Sequence, residues 1–426
     1  MNQTVEKRLD GASVGDWIRN NTNLLLMFAL IIVGALTSDN FFSMDNILNV
    51  LRRITVNGML AVACTMTLLV GGFDLSIGHV MALSAVLCIG FEKSTGSGAV
   101  GIVVALAAGL VLGLINGLLM KLTRGGSGEG FMITLATGMM AQALAKWYCA
   151  GSEIIRIDLP AEIDWFKQLG QGNLLGFPIC TLIWIAVMVI LQIVIKKTTF
   201  GRQMLLTGAN KKSAFLAGIN VNRVKVIAYT VAGFCCGIAA VIYAARFTSA
   251  SDGAGVGGDF NGAVCSIIGG NALYGGHGGM VQVFIGTVTF GLISNILQLF
   301  GLSTAVQYIV QGAILLLAIN LDNLKKQFEQ CESEVTIDYW GQKSGDDQMC
   351  VRQSFLMTRD ENTDDIMVVS RTLRHRYSGS EFKVELCLKL QDITKKAALI
   401  QGPDGLKALA VNDDFNTAGK NRFQWK

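Results

Sequence analysis

Charge is scarce in this chain: of 426 residues only 15% are Asp, Glu, Lys or Arg, and there are three prolines and three histidines. A soluble domain carries about 25% charged residues, so a chain this poor in them does not have the surface of an ordinary cytosolic protein. No G-x-x-x-x-G-K-S/T turn occurs, so the chain lacks the phosphate-cradling loop of a nucleotide-binding subunit. His79, His277 and His375 have no Cys, Asp or Glu partner at metal-ligand spacing, and the adjacent Asp364 and Asp365 sit in a charged stretch that reads as solvated. No catalytic residue, metal or bound cofactor is therefore expected. The ten cysteines, at 64, 88, 149, 180, 235, 236, 265, 331, 350 and 387, form no C-x-x-C pair and mostly sit in apolar runs, where free cysteine packs as a small hydrophobe.

What the chain has is hydrophobicity and glycine. Hydrophobic residues make up 51%, the mean hydropathy is +0.48, and there are 49 glycines. That composition indicates an integral membrane protein whose helices approach closely through small residues. The segment MNQTVEKRLDGASVGDWIRNNTN mixes acids and bases before the first apolar run, which is read as a retained helix and not as a cleaved signal peptide.

Apolar runs fall at 22–37, 55–71, 78–92, 98–120, 131–148, 175–195, 225–246, 262–277, 279–300 and 302–321, giving an all-α membrane fold of about ten crossings. Several fall short of the roughly 20 residues a crossing needs, so extension into polar flanks or broken helices is expected. The loop 196–225 carries Lys196, Lys197, Arg202, Lys211, Lys212, Arg223 and Lys225 and no acid, which assigns it to the cytoplasm. The connection before it holds Glu153, Asp158, Glu162 and Asp164 and belongs outside. Ten crossings then leave both termini cytoplasmic, with residues 1–21 as an N-terminal segment and 22–326 as the membrane domain. Arg52 and Arg53 fall on the outer side and are a misfit: either they belong to a tilted helix that begins near Met44, or the second and third segments have other bounds. From 327 to 426 charge returns and long apolar runs stop, which marks a small soluble cytoplasmic tail. EFKVELCLKL there alternates as a half-buried strand, and DDIMVVSRTL and GLKALAVNDD are further strand candidates.

Inside the spans the polar residues are nearly all neutral, among them Asn57, Thr65, Thr67, Ser84, Asn116, Thr134, Thr137, Gln142, Asn261, Asn271, Asn295, Gln298, Gln307 and Gln311. Each can serve helix packing alone; together they suit the passage of an uncharged polar solute. Ion-coupled carriers bury ionisable residues, and here Asp74 and Lys146 are the main candidates. The driving energy is therefore expected from elsewhere, with a stand-alone secondary transporter or channel as the alternative. Two further features stand out. VGGFDLSIGH, 70–79, sets a carboxylate between two long apolar runs, and SDGAGVGGDFNG with IIGGNALYGGHGGM is rich in glycine that lets helices turn and pack.

The blocks FFSMDNILNVLRRITVNGMLAVACTMTLLVGGFDLSIGHVMALSA, GRQMLLTGANKKSAFLAGINVNRVKVIAYTVAGFCCGIAAVIYAARFTSA and AVCSIIGGNALYGGHGGMVQVFIGTVTFGLISNILQLFGLSTAVQYIVQGAILLLAINLDNLKK resemble, in order, the permease subunits of bacterial monosaccharide ABC importers of the ribose, xylose and galactose type. The resemblance covers roughly 20–326. It implies the helical fold of type II ABC importers, a dimer with a second permease copy or paralogue, a cytoplasmic ATPase subunit that alone uses ATP, a periplasmic sugar-binding protein, and an inner-membrane location among lipids, with no nucleic acid partner. Gly201, Arg202, Gly208, Asn210, Lys211, Ala214, Gly218, Ile219 and Lys225 match the family's ATPase-coupling loop. Gly72, Asp74, Leu75, Ser76 and Gly78 match its G-x-D-L-S-x-G break, and with Asn116 and Asn295 they are the candidates for the break or the translocation path. Asp74 is expected to hold backbone N–H groups at the start of a helix, with sugar contact as the alternative. The tail after 327 departs from the family pattern, as do Arg52 and Arg53.

Overall fold

The first apolar run forms α1 (Thr22–Thr37), and the second becomes a longer helix than the hydropathy outlined, α2 (Met44–Leu69). The computed structural model describes residues 22–313, apart from 124–126, 156–163, 274, 304, 305, 308 and 311, together with six strands between 334 and 412. The N-terminal segment 1–21 and most of the expected crossing at 302–321 lie outside the described residues. The chain divides into two units, Met1–Leu316 and Leu317–Lys426.

Ser43 starts α2 because its Oγ accepts from the Asn46 amide at 3.3 Å. Arg52 and Arg53 thus fall inside a helix and not at its edge, as the start near Met44 requires. The Arg52 guanidinium donates to the Gln171 carbonyl and to Asn173 Oδ1 at 2.8 Å, and Arg53 donates to Gln298 Oε1. From Ile54 to Leu69 nearly every residue is buried, so α2 is apolar on all sides and runs through the middle of the bundle.

Around it stand α3 (Ile77–Thr95), α4 (Gly98–Leu122), α5 (Ser127–Tyr148), the short α6 (Asp164–Gln171), α7 (Ile179–Lys197), α8 (Thr199–Ala209), α9 (Lys211–Leu216), α10 (Val221–Phe247), α11 (Gly258–Ile268) and α12 (Met280–Leu299). Among the described residues six helices, α2, α3, α4, α7, α10 and α12, are long and apolar enough to cross a membrane. The glycines explain how α4 and α10 pack. A Cβ on Gly113 would lie 2.5 Å from the Tyr229 carbonyl, and one on Gly117 would lie 2.8 Å from the Val226 Cα. Only glycine permits backbones that close, and dispersion between them replaces the side chains.

One expected helix is shorter than its apolar run. The run 262–277 yields only the 11-residue α11, which ends at Ile268. Gly270, at φ 104°, donates to the Ile267 carbonyl at 2.9 Å while the Asn271 amide donates to Ser266 at 3.1 Å. That left-handed glycine turn stops the helix although the residues that follow are still apolar.

Two short antiparallel pairs, β1 (Ile154–Ile155) with β4 (Ser249–Ala250) and the hairpin of β2 (Asn173–Leu174) with β3 (Phe177–Pro178), join connections in the first unit. In the second unit β5 (Glu334–Gln342) pairs with β6 (Gln348–Leu356), β7 (Ile366–Arg374) with β8 (Glu381–Lys389), and β9 (Lys396–Gln401) with β10 (Lys407–Asn412), all antiparallel.

Candidate functional site

α2 ends in a left-handed glycine turn, but at Gly71 and not at Gly72. Gly71, at φ 70°, donates to Leu68 at 2.8 Å, and the Gly72 amide reaches back to the Thr67 carbonyl at 3.0 Å. Gly72 is needed for space instead, since a Cβ there would stand 2.5 Å from the Tyr229 hydroxyl. The chain then turns back into the bundle. Gly258 packs on Leu60, nine residues before the end of α2, and a Cβ on Gly258 would lie 3.6 Å from the Gly78 Cα. At 1.5 Å per residue, α3 therefore begins roughly 13 Å back along α2.

Asp74, 3% exposed, stands in this stretch. Its Oδ1 accepts from the Ser76 amide at 2.8 Å and from the Ser76 hydroxyl at 2.6 Å. A carboxylate that holds the backbone where a helix begins satisfies a donor the helix cannot, and the positive helix end favours its charge. Asn116 on α4 donates to Ser76 Oγ at 2.8 Å, and Thr134 on α5 accepts from the Leu75 amide at 3.1 Å, so the break is tied to both neighbours. Asp74, Ser76 and Asn116 are thus one hydrogen-bonded group, with Gly72 beside it. Gly78 lies at its far side, where a Cβ would run into the Gly255 carbonyl and stand 3.0 Å from the Asp259 nitrogen. The starts of α3 and α11 meet there, and each has a buried aspartate, Asp74 or Asp259. Asp259 did not stand out in the sequence because it lies in a glycine-rich string; its signal was the charge in an otherwise apolar flank.

Asn295 is not part of this group. It exchanges two hydrogen bonds with Asn46, 2.8 Å from its Nδ2 to Asn46 Oδ1 and 3.2 Å in return, and so joins α12 to the start of α2. Thr65, Ser266 and Asn271 likewise bond to one another, with Thr65 Oγ1 and Ser266 Oγ 2.7 Å apart, and Asn271 Oδ1 accepts from the Gly279 amide at 2.8 Å. Here neutral polar groups serve packing.

The basic loop folds as two short helices. Thr198 accepts from the Gly201 amide at 3.2 Å and begins α8; Gly201 itself packs its backbone on Ile195. Asn210 Oδ1 accepts from Lys212 and Ser213, both at 3.0 Å, and begins α9. Gly218 ends α9 in the left-handed region at φ 81°, while the Ile219 amide reaches the Ala214 carbonyl at 3.0 Å. Ala214 and Lys225 are buried, whereas Arg202 and Lys211 are exposed. Phe215 and Leu216 are 72% and 84% exposed. Two large apolar side chains thus project from a cationic loop, and their signal in the sequence was apolar character inside a charged loop.

The loop and the breaks meet at Gly208. A Cβ on Gly208 would run into the Leu69 carbonyl, at the end of α2, and stand 2.5 Å from the Gly276 nitrogen. Gly276 in turn donates to Leu69 at 3.2 Å, and a Cβ on Gly275 would lie 2.7 Å from the Gly71 nitrogen. The last turn of α8 thus rests by its backbone on both glycine turns, the one after α2 and the one before α12. Among the described residues no cluster of three or more His, Cys, Asp or Glu could hold a metal ion.

A transport fold built of apolar helices, with a basic loop set against internal breaks, agrees with the comparisons. Residues 46–319 match the family described as the branched-chain amino acid transport system / permease component, and the chain belongs to that family. It is 31% identical over 312 residues to the ribose import permease protein of Escherichia coli K12, covering 73% of this chain and 95% of that one. The ribose import permease protein of Bacillus subtilis 168 is 35% identical over 323 residues, 76% and 98% of the two chains. The fructose import permease protein of Rhizobium meliloti is 28% identical over 306 residues, 70% and 83%.

Proposed function

We propose that this chain is the membrane permease subunit of an ATP-binding cassette importer, moving a monosaccharide or a similar small polyhydroxylated solute by alternating access. The single observation that carries the reading is the seat of Gly208 on both Leu69 and Gly276, since it gives a loop with an exposed Phe215–Leu216 pair a rigid path to two breaks inside the bundle. Packed backbones transmit displacement because they have no rotamers in which to absorb it.

In this reading a separate cytoplasmic ATPase grips 201–225 and uses the ATP, a periplasmic sugar-binding protein delivers the solute to the opposite face, and a second permease copy or paralogue completes the pathway in the inner membrane. The names of the ribose and fructose relatives support the substrate class. Ten crossings with both termini cytoplasmic would be completed by α1, α5, the short α11 with the chain leading into it, and the stretch 302–321. Residues 327–426 would be a soluble cytoplasmic addition, removable without loss of membrane insertion.

The test is to isolate the chain from cells expressing its neighbouring genes and to measure ATP hydrolysis of whatever ATPase stays bound, with binding protein loaded with ribose, arabinose or fructose. Hydrolysis that rises with one sugar supports the importer. A chain that stays alone and moves solute without ATP identifies a secondary transporter or channel instead.

A further inference from the structure

Between α7 and α12 lies a groove of about 280 Å³, lined by Ile185, Met188, Val189, Gln192, Ile193, Met280, Val281 and Phe284. Val189, Ile193 and Val281 are each more than half exposed, so the groove opens sideways, toward where lipid would be. Along α7 it runs from Ile185 to Ile193, roughly 12 Å at 1.5 Å per residue. Its one polar side chain is already engaged, because Gln192 Oε1 accepts from the Met280 amide at 2.8 Å.

That bond also places the groove along the bundle. Met280 begins α12 four residues after Gly276, whose amide is held at Leu69 beneath Gly208, so the groove ends at the face that carries the basic loop. On the lining face of α7, Lys196 follows Gln192 by one turn, with Lys197 beside it, both exposed in the last turn of the helix. The facing end is the N-terminus of the 20-residue α12, where Gln192 holds the Met280 amide and the helix dipole is positive. An apolar groove open to the bilayer thus finishes at two lysines and a positive helix end. Anionic lipid headgroups are drawn to basic sites between helices at the cytoplasmic surface.

We propose that this groove holds one acyl chain of an anionic phospholipid of the cytoplasmic leaflet, with its phosphate at Lys196, Lys197 and the start of α12. The leaflet rests on the cytoplasmic assignment of the basic loop; the lipid site itself does not depend on the solute or on ATP. A lipid there bridges α7, which leads directly into α8, and α12, which follows the Gly276 turn, and so sits on the two elements that the loop joins.

The experiment is native mass spectrometry of the purified chain in mild detergent, titrated with phosphatidylglycerol or phosphatidylcholine of the same acyl composition. The expected result is one tightly retained phosphatidylglycerol, with Lys196→Gln and Lys197→Gln each weakening it about fivefold. Val189→Trp, at an exposed position that tolerates bulk, would fill the groove and abolish retention while the melting temperature stays within a few degrees. Equal retention of both lipids, or no effect of any variant, would mean adventitious annular lipid only and would overturn the site. A shift from dimer to monomer in Val189→Trp would overturn it too, by assigning the groove to a seam with a second copy. Sugar-stimulated ATP hydrolysis, measured alongside, reports separately on the importer reading.

Discussion

The Gly276 amide donates to the Leu69 carbonyl at 3.2 Å, and Gly208 covers that bond with no room for a methyl group. Three segments far apart in sequence are thereby held backbone to backbone. A force applied at α8 reaches the turn after α2 and the turn before α12 together.

Gly208→Val is expected to separate the two turns from α8. Overpacking of this kind costs about 1–3 kcal/mol, and in vesicles containing the ATPase and binding protein it should cut uptake at least tenfold while the chain still reaches the membrane. Wild-type uptake by Gly208→Val would remove the junction from the transport path.

Gly218 differs in kind, because a Cβ there meets nothing within 4 Å and only its positive φ is at stake. Gly218→Ala should cost about 1–2 kcal/mol and Gly218→Asn much less, since Asn visits the left-handed region readily. Thermal unfolding of the two variants measures this, and equal midpoints would contradict it.

Asp74→Ala leaves the Ser76 amide and hydroxyl without their buried acceptor, a loss of about 1–3 kcal/mol. Asp74→Asn keeps an acceptor oxygen and should fall between Ala and the wild type in folded yield, by size-exclusion chromatography in detergent. Changed sugar selectivity with unchanged yield would make Asp74 a solute contact instead.

Phe215→Ser with Leu216→Ser should leave the permease's own melting temperature within a few degrees, because both side chains are exposed, and should abolish retention of the ATPase on an affinity column. An ATPase that stays bound would place the docking surface elsewhere.

The sequence showed the basic loop and the G-x-D-L-S-x-G break clearly, because charge in a loop and charge between apolar runs each conflict with their surroundings. It did not show which glycine turns the chain. Gly71 and Gly72 are identical side by side, and only the bonds to Leu68 and Thr67 tell the left-handed residue from the one that makes room for Tyr229. The start of α2 was hidden by Arg52 and Arg53, whose charge lowers the local hydropathy although their guanidinium groups find the Gln171 carbonyl, Asn173 and Gln298. The end of α11 was hidden for the opposite reason, since apolar character continues past Ile268 while the helix does not. The partner of Asn295 was not legible either, since a buried amide in the sequence does not say that it bonds to Asn46, 249 residues away.

The most direct measurement is the initial rate of labelled sugar uptake into vesicles holding this chain, its ATPase and its binding protein, with ATP and with a non-hydrolysable analogue. An ATPase-driven permease predicts uptake against a gradient with ATP and none with the analogue. Equal rates in both conditions, or uptake by this chain alone, would contradict it.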